Sequence, residues 1–207
     1  MKLLYHALSS SSRRVTIVAS ILGVPLELAP VDLRDKAARA ALERKNPNSK
    51  IPVLEDGDFV LWESNAIMQY LCERSPGQTL YPTELRARMD VQRWLSWSAA
   101  HWSTAIGGLG WENAWKKLAI GGEPDPEQVK RHEALLSQFA VVLDGHLASR
   151  TWMVGNDLTI ADIAIATPLM MTRLARLPIR PYGNVQAWFA RVQELPAWKA
   201  TEPPPLG

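Results

Sequence analysis

The apolar positions of roughly the first 75 residues change between strand-like and helix-like spacing. Lys2 to His6 and Leu26 to Val31 are short apolar runs that predict two β-strands. Between them, apolar residues from Val15 to Leu22 recur at helical spacing, and Gly23 predicts the end of that helix. The beginning of the chain therefore predicts a βαβ unit.

A second group of elements follows in the order ββα. Asp35 predicts the N-cap of a short alanine-rich helix. Pro52 to Glu55 and Phe59 to Trp62 predict two strands, because the Asp56-Gly57-Asp58 sequence between them is typical of a hairpin turn. Ser64 then opens a helix with one apolar face.

Proline and glycine residues interrupt this pattern beyond the Ser64 helix. Pro76-Gly77 and Pro82 predict a linker at about 76–84, between one domain at 1–78 and a second domain at 85–207. Most of the second domain has helical spacing. We therefore expect an α/β domain followed by an all-α domain.

Capping residues predict where the helices of the second domain begin. Leu85 to His101 predicts one helix. Asp125, with Gln128 at the third helical position, predicts a capping box, and Thr159 with Asp162 predicts a second one. The reciprocal hydrogen bonds of a capping box fix the first turn, so we expect well-defined helix starts at both places.

Prolines change the pattern towards the end of the chain. Pro168 lies within the helix that follows Asp162 and predicts a kink. Trp188, Phe189 and Val192 indicate a last helix. Glu202 and the three prolines that follow it predict an extended or disordered tail.

Composition narrows the possible functions. Lys and Arg number 23 against 21 Asp and Glu, and no basic run is long enough to follow a phosphate backbone, so we expect no nucleic-acid partner. No apolar run approaches the roughly 20 residues of a membrane span, and the N-terminus lacks a signal-peptide pattern. A single cysteine, Cys72, excludes an internal disulfide and a Cys-x-x-Cys redox centre. We expect a cytoplasmic protein with no membrane partner and no metal.

A run of serines, Ser9 to Ser12, lies between the first strand and the first helix and is followed by Arg13 and Arg14. One of these hydroxyls can cap the helix, and a cap needs only one. The turn from a strand's carboxyl end into a helix is also where open α/β sheets bind ligands, and the helix N-terminus there favours an anion such as a thiolate. A helix cap and a thiolate site both remain open.

The Ile51-Pro52 pair precedes the third strand and has two interpretations. A proline is sterically tolerated at the first position of an edge strand. Alternatively, a cis peptide bond exposes the backbone of Ile51, to which an extended peptide ligand can add as a strand.

Glu63-Ser64 stands where the fourth strand passes into a helix. Ser64 can be a plain N-cap beside a solvated Glu63, or the two residues can bind an amino-acid head group. In the second case Ser64 and the helix N-terminus bind the carboxylate and Glu63 pairs with the ammonium. A thiolate site, an exposed strand edge and a zwitterion site together describe a small peptide with a thiol and a free amino-acid end. Glutathione is such a peptide.

Several segments resemble the soluble glutathione transferases over nearly the whole chain. Asn46 to Leu54, Asp56-Gly57 and Trp62 to Ile67 are similar to the glutathione-site signature of that family, Leu80 to Pro82 to its interdomain linker, and Gly155 to Ile163 to its folding motif in the helical domain. The resemblance, closest to bacterial, serine-type, theta- or zeta-like members, implies a thioredoxin-like N-terminal domain of order βαβ-ββα and an all-helical C-terminal domain. It also implies that Asp162 is structural.

The resemblance assigns glutathione contacts to particular residues. Ile51, next to Pro52, would offer backbone hydrogen bonds to the cysteinyl part of glutathione. Glu63 and Ser64 would hold the γ-glutamyl end, and Lys50 would reach the glycine carboxylate.

The same resemblance selects a serine for the sulfur. Two registers, one theta-like and one zeta-like, both select Ser9, and Ser10 remains a rival. Ser9 would donate a hydrogen bond to the thiolate, while Arg13 and the helix N-terminus would add positive potential. Because Ser11 replaces the zeta cysteine and Ser12 the theta one, the chain departs from both patterns.

The second substrate is expected to be a small hydrophobic electrophile bound by the helical domain. Trp94, Trp97 and His101 lie at helical spacing and are candidates for that pocket, and a packed core or a dimer interface is the alternative interpretation. The resemblance implies a homodimer. A glutathione-dependent reductase or peroxidase, an isomerase and a non-catalytic binding module remain as alternative functions.

Overall fold

The computed structural model of the protein describes residues 1–203. The described chain forms two compact units. The first unit contains Met1–Tyr81 together with the segment that starts at Leu195, and the second contains Pro82–Glu194. The sequence had suggested a second domain that continues to residue 207, whereas the segment from Leu195 groups with the first unit.

Helices and strands of the first unit follow the expected order. The strands are β1 (Lys2–Tyr5), β2 (Glu27–Pro30), β3 (Val53–Asp56) and β4 (Phe59–Trp62). The helices of the whole described chain are α1 (Ser10–Leu22), α2 (Lys36–Glu43), α3 (Ser64–Glu73), α4 (Leu85–Trp97), α5 (Ser103–Gly110), α6 (Lys116–Ile120), α7 (Pro126–Leu147), α8 (Ile160–Ala166), α9 (Gly183–Gln193) and α10 (Pro196–Ala200). The predicted order βαβ followed by ββα is confirmed.

The four strands form one mixed sheet in the order β2-β1-β3-β4. β1 pairs parallel with β2 and antiparallel with β3, and β3 forms a hairpin with β4. Leu3 lies at the centre, opposite Leu28 on one side and Leu54 on the other. The register places Val53 opposite both Leu4 and Trp62, so the end of β1, the start of β3 and the end of β4 meet at the same edge.

The core of the first unit fills the space between the sheet and the pair α1 and α3, which pack against each other. Its fully buried apolar side chains include Leu3, Val15, Val18, Leu54, Ile67 and Leu71. Burying one such side chain contributes about 1.5–3 kcal/mol, so this layer accounts for much of the stability of the unit. A smaller cluster of Val31, Leu42 and Val53 holds α2.

The first helices begin and end where the sequence predicted. Ser9 and Asp35 are the N-caps of α1 and α2, and each side chain accepts a hydrogen bond from a first-turn N–H group. Gly23 ends α1 in the left-handed conformation with φ of 66°, which a residue without a Cβ adopts at little cost. Ser64 is the first residue of α3, as expected.

The second unit begins with a longer helical run than the sequence suggested. The predicted helix Leu85 to His101 continues to Ile120 and contains two π-helical segments, Ser98–Trp102 and Trp111–Trp115. The residues at every junction keep right-handed helical dihedral angles, so the chain does not leave the helix. Apolar spacing cannot distinguish this run from a plain α-helix, because each π-segment only shifts the periodicity.

The two predicted capping boxes have different outcomes. Thr159 and Asp162 form the reciprocal pair at the start of α8, as predicted. Asp125 caps α7, but its own N–H donates to Glu112 Oε2 at 2.7 Å rather than to Gln128. The prediction of a reciprocal box at Asp125 was therefore wrong, because a distant carboxylate takes the place of the glutamine.

Pro168 ends a helix instead of kinking it. α8 stops at Ala166, and a 3-10 segment, Thr167–Met171, follows. Pro168 has no N–H group for the Ala164 carbonyl, and the buried Ser98 hydroxyl donates to that carbonyl at 3.1 Å. The Trp102 indole donates to the neighbouring Ile165 carbonyl at 3.0 Å. The first π-segment therefore supplies donors to the end of α8.

Two helices lie near the end of the described chain. α9 covers the predicted Trp188, Phe189 and Val192, and α10 follows it. Of the predicted proline tail, only Glu202 and Pro203 fall within the described residues, and the rest lies outside them. No helix within residues 1–203 is long and apolar enough to cross a membrane.

Candidate active site

The serine run lies at the start of α1, and its four members differ in their contacts. The Ser9 hydroxyl accepts a hydrogen bond from the Ser12 N–H at 3.2 Å, so Ser9 is the N-cap. The Ser12 side chain is buried and accepts from the His6 N–H at 3.4 Å. Ser10 and Ser11 are half-buried. A hydroxyl has two acceptor positions and one proton, so the cap leaves the Ser9 proton available for a ligand.

Arg13 makes its contacts with the end of the chain. Its Nη2 donates to the Trp198 carbonyl at 2.9 Å, and its guanidinium carbon lies 4.1 Å from the centre of the Trp198 ring. Burial lowers the pKa of Arg13 to about 10, while the nearby Glu202 opposes that change. Arg13 therefore remains a cation at neutral pH.

Arg14 is the buried cation beneath the start of α3. Its Nη1 donates to Asn65 Oδ1 at 3.0 Å, which connects the N-terminal part of α1 to the first turn of α3. Burial lowers the pKa of Arg14 to about 10, and the charge of Glu63 acts in the opposite direction. Sequence reasoning placed Arg14 in the serine-arginine run without giving it a function, and an arginine pattern alone does not reveal such a partner.

The peptide bond between Ile51 and Pro52 is cis, as one of the two interpretations predicted. No backbone hydrogen bond to Ile51 occurs within residues 1–203, so its N–H and C=O groups lack a protein partner there. The loop before it is held by Asn46, whose buried side chain donates to the Lys50 carbonyl at 2.7 Å. The Lys50 side chain itself is exposed.

Glu63 and Ser64 begin α3 in an unusual backbone conformation. Glu63 has φ of 71°, a left-handed value that is uncommon for a residue with a side chain. Glu63 is exposed, Ser64 is buried, and no side chain caps the first turn of α3. The start of α3 thus has no side-chain cap, and a helix N-terminus favours a carboxylate.

The topology brings these separate sequence positions to one edge of the sheet. The Ser9 turn follows β1, Ile51-Pro52 precedes β3, and Glu63 follows β4. Because these three strand ends are in register through Val53, the turn, the loop and the helix start lie side by side. An open groove of about 580 Å³ lies at the opposite end of the sheet, beside Lys2 and Gly57.

The candidate residues of the helical unit form an aromatic cluster. The Trp94 and Trp97 rings lie 5.2 Å apart edge to face, and Trp97 lies 6.4 Å from His101. Trp94 is buried, Trp97 half-buried and His101 exposed. Phe139 of α7 contacts both Trp97 and His101, a neighbour that the sequence did not indicate. Edge-to-face pairs of this kind stabilise packing as well as providing a flat apolar surface.

Other reactive or metal-binding groups are scarce in the described chain. Cys72 is buried, and desolvation raises the pKa of its thiol to about 12, which keeps it protonated at neutral pH. Within residues 1–203, no three His, Cys, Asp or Glu side chains gather in a way that could hold a metal ion.

Comparisons with known proteins show the family of the chain. Residues 4–79 match the family model described as "Glutathione S-transferase, N-terminal domain", and residues 110–196 match "Glutathione S-transferase, C-terminal domain". Glutathione S-transferase 3 of Zea mays is 32% identical over 97% of this chain and 92% of its own length. Glutathione S-transferase theta-2 of Homo sapiens is 36% identical over 93% of this chain and 80% of its own.

A solved structure gives the same result for the fold. A delta-class glutathione transferase of Nilaparvata lugens superposes with a TM-score of 0.82 at 30% identity, over 97% of this chain and 92% of that one. The chain belongs to the glutathione S-transferase family. It is a glutathione transferase with a thioredoxin-like α/β domain and an all-helical domain, as the resemblance implied.

Proposed function

We propose that glutathione lies extended along Ile51, with its sulfur at Ser9 and its γ-glutamyl end at Glu63 and Ser64, and that the thiolate attacks a small apolar electrophile. The meeting of the three strand ends at one edge carries the proposal. An extended tripeptide needs binding groups that follow one another along its length. The strand register supports this arrangement, because the Ser9 turn, the Ile51 loop and Glu63 follow three neighbouring strand ends.

The γ-glutamyl end carries an ammonium and a carboxylate. Support for its place comes from the uncapped first turn of α3 with Ser64, which suits the carboxylate, and from the exposed Glu63, which suits the ammonium. The positive φ of Glu63 is consistent with a functional constraint, since strained residues concentrate at binding sites. Arg14 beneath α3 adds positive charge on the carboxylate side.

The middle and the glycine end use backbone and side-chain groups of the preceding loop. The Ile51 N–H and C=O groups, next to Pro52, pair with the cysteinyl backbone in the manner of an added strand. Lys50 reaches the glycine carboxylate, and its exposure leaves the ammonium free to do so. Asn46 keeps this loop in place through the Lys50 carbonyl.

Ser9 prepares the sulfur for attack. The Ser9 hydroxyl donates a hydrogen bond to the sulfur while its oxygen accepts the capping hydrogen bond of α1. The hydrogen bond to sulfur favours the thiolate over the thiol. The helix N-terminus and the Arg13 cation add positive potential. The thiolate forms a new carbon–sulfur bond, the leaving group departs with its electron pair, and the thiol proton has already passed to solvent.

The electrophile and the assembly are part of the same proposal. Trp94, Trp97 and His101 provide aromatic surface for a small hydrophobic electrophile, with no metal required. A homodimer is supported by the exposed apolar side chains of the edge strand, Phe59 and Trp62, since exposed apolar edges are usually covered. We propose a cytoplasmic location, in keeping with the single buried cysteine.

Ser9→Ala tests the assignment of the sulfur contact. Removing the donor raises the pKa of bound glutathione thiol by about 1 unit, equivalent to about 1.4 kcal/mol. The measurement is the thiolate absorbance of the binary complex against pH, with affinity from calorimetry.

Three companion variants separate this effect from the loss of the cap. Ser9→Gly lacks the hydroxyl but costs the helix only a few tenths of a kcal/mol, so we expect the same thiol pKa as in Ser9→Ala. Ser9→Thr keeps the hydroxyl and restores the wild-type value, and Ser10→Ala leaves it unchanged. An unshifted thiol pKa in both Ser9→Ala and Ser9→Gly refutes the role of Ser9, and a shift in Ser10→Ala transfers the role to Ser10.

A further inference from the structure

The C-terminal helix α10 belongs to the unit that holds the candidate glutathione site. α10 packs against α1, and the contact is centred on Arg13 and Trp198. Both side chains are almost completely buried, with exposed fractions of 5% and 2%. A guanidinium that stacks on an indole ring and donates to the carbonyl of the same residue has little freedom to move.

The Arg13 side chain is directed to this segment alone within the described residues. Its hydrogen bond and its ring contact are both with Trp198, and Glu202 is the carboxylate that acts on its charge. The Trp198 carbonyl lies in the last turn of α10, where helix carbonyls carry partial negative charge. The Arg13 cation and the C-terminal end of α10 are therefore electrostatically complementary.

The backbone of Arg13 connects this contact to Ser9. The Arg13 N–H donates to the Ser9 carbonyl at 2.9 Å, which is the first hydrogen bond of α1. Cations at the start of a helix oppose its dipole, and the first turn of α1 has no acidic residue to compensate. An external anchor for Arg13 thus stabilises the turn that carries the Ser9 hydroxyl.

We propose that Arg13 is a positioning residue, and that its contact with Trp198 holds the first turn of α1, and with it Ser9, in the geometry that the glutathione sulfur requires. The inference rests on the proposed function of Ser9. The C-terminal segment acts on the sulfur through Arg13 and need not touch glutathione itself.

The test compares Arg13→Gln, Arg13→Lys and Trp198→Leu with the matched control Arg191→Gln. Arg191 donates to the Thr151 carbonyl at 2.9 Å and lies over the Trp152 ring at 5.9 Å, which is a similar but more exposed arginine–carbonyl and arginine–indole arrangement in the helical unit. Melting temperature, KM for glutathione, kcat and the pH profile of kcat/KM are measured for each variant.

Arg13→Gln and Trp198→Leu are each expected to raise KM for glutathione about tenfold and to move the acidic limb of the kcat/KM profile upward by about half a pH unit. The double variant is no worse than either single one, because both remove one contact. Arg13→Lys keeps the charge and loses the stacking, so we expect an intermediate KM. Arg191→Gln leaves KM and the pH profile unchanged.

Three outcomes of the kinetic comparison overturn the inference. One is a lower melting temperature for Arg13→Gln and Trp198→Leu with KM and the pH profile unchanged, which makes the contact merely structural. Another is additivity of the two changes in KM, which means that the two variants do not remove one shared contact. The third is full rescue of KM by Arg13→Lys, which means that Arg13 acts by its charge alone.

Amide hydrogen exchange separates this inference from the proposed function. Faster exchange of the amides at 10–13 in Arg13→Gln and Trp198→Leu, but not in Arg191→Gln, is expected whether or not glutathione binds. Absence of glutathione binding by the wild type refutes the proposed function. Unchanged exchange at these amides refutes the claim that the contact between Arg13 and Trp198 holds the first turn of α1.

Discussion

A serine hydroxyl has more hydrogen-bonding capacity than a helix cap uses. Ser9 accepts from the Ser12 N–H and keeps its proton, so capping and thiolate binding are compatible at one atom. The two interpretations of the serine run were posed as alternatives from the sequence. The geometry permits both at once, which the residue pattern alone could not indicate.

Other features of the candidate site depend on contacts between distant residues. The start of α3 at Ser64 was predicted from the local sequence, and the cis bond at Pro52 was one of the two interpretations left open for it. The pairing of Arg14 with Asn65 was not predicted, because it needs α1 and α3 to pack together, and neither was the positive φ of Glu63. Local signals thus indicated the candidate residues, and a contact between helices such as the one between Arg14 and Asn65 depends on tertiary packing.

Gly108 in α5 is a residue where a single methyl group should matter. A Cβ there would lie well inside the van der Waals radius of the His132 ring on α7, which packs against α5. Gly108→Ala is therefore expected to lower the free energy of unfolding by about 1–3 kcal/mol. Urea denaturation measures it.

Two further variants separate the effect of helix propensity from that of the clash with His132. Gly107→Ala places its Cβ in open space, so we expect a gain of up to about 1 kcal/mol. His132→Ala removes the obstructing ring, so Gly108→Ala in that background should cost nothing. A Gly108→Ala protein as stable as wild type would contradict the clash.

At the scale of elements, the π-segment Ser98–Trp102 and the end of α8 depend on each other. Pro168 deprives the Ala164 carbonyl of its helical donor, and Ser98 replaces that donor. The sequence predicted a disturbance at Pro168, since the missing N–H group is a local property. It did not predict the compensation, because Ser98 is 66 residues away along the chain.

Ser98→Ala tests this dependence. The buried Ala164 carbonyl loses its donor, so the free energy of unfolding should fall by about 1–3 kcal/mol. Ser96→Ala, on the exposed side of α4, should change it by less than about 0.5 kcal/mol. Both values come from urea denaturation followed by tryptophan fluorescence.

The decisive comparison uses a Pro168→Ala background. Alanine restores an N–H group four residues after Ala164, so Ser98→Ala should then cost clearly less than it does in the wild type. An equal cost in both backgrounds would show that the Ser98 hydroxyl does not substitute for the missing donor.

At the scale of the whole molecule, different interactions stabilise the helices and strands of the first unit and the helices of the second. The first unit is a sheet covered by helices, and its last helix comes from the end of the chain. An amphipathic segment such as α10 has a recognisable pattern, but the pattern does not say which core it joins. That is why the sequence extended the helical domain to its last residue, whereas Leu195 begins a return to the first unit.

A buried carboxylate, Asp162, connects several elements of the second unit. Asp162 Oδ1 accepts from the Met153 N–H and the Trp188 indole, both at 2.9 Å, while Oδ2 accepts from the Thr159 N–H and hydroxyl at 3.0 Å. These four donors come from the loop before α8, the cap of α8 and α9. The Met153 carbonyl accepts a hydrogen bond from His146 Nε2 of α7 at 2.8 Å, so α7 joins the same network.

Asp162→Asn replaces one oxygen by an NH2 group that faces two donors. Two of the four hydrogen bonds are then lost in a buried site, so the free energy of unfolding should fall by about 2–5 kcal/mol, and the near-ultraviolet circular dichroism of the tryptophans should weaken. Asp157→Asn, an exposed carboxyl in the preceding loop, is the matched control and should stay within about 0.5 kcal/mol of wild type.

Because Asp162 lies in the helical unit and its partners are structural, the thiol pKa of bound glutathione should be unchanged in any Asp162→Asn protein that remains folded. A changed thiol pKa at full stability would instead give Asp162 a part in the chemistry.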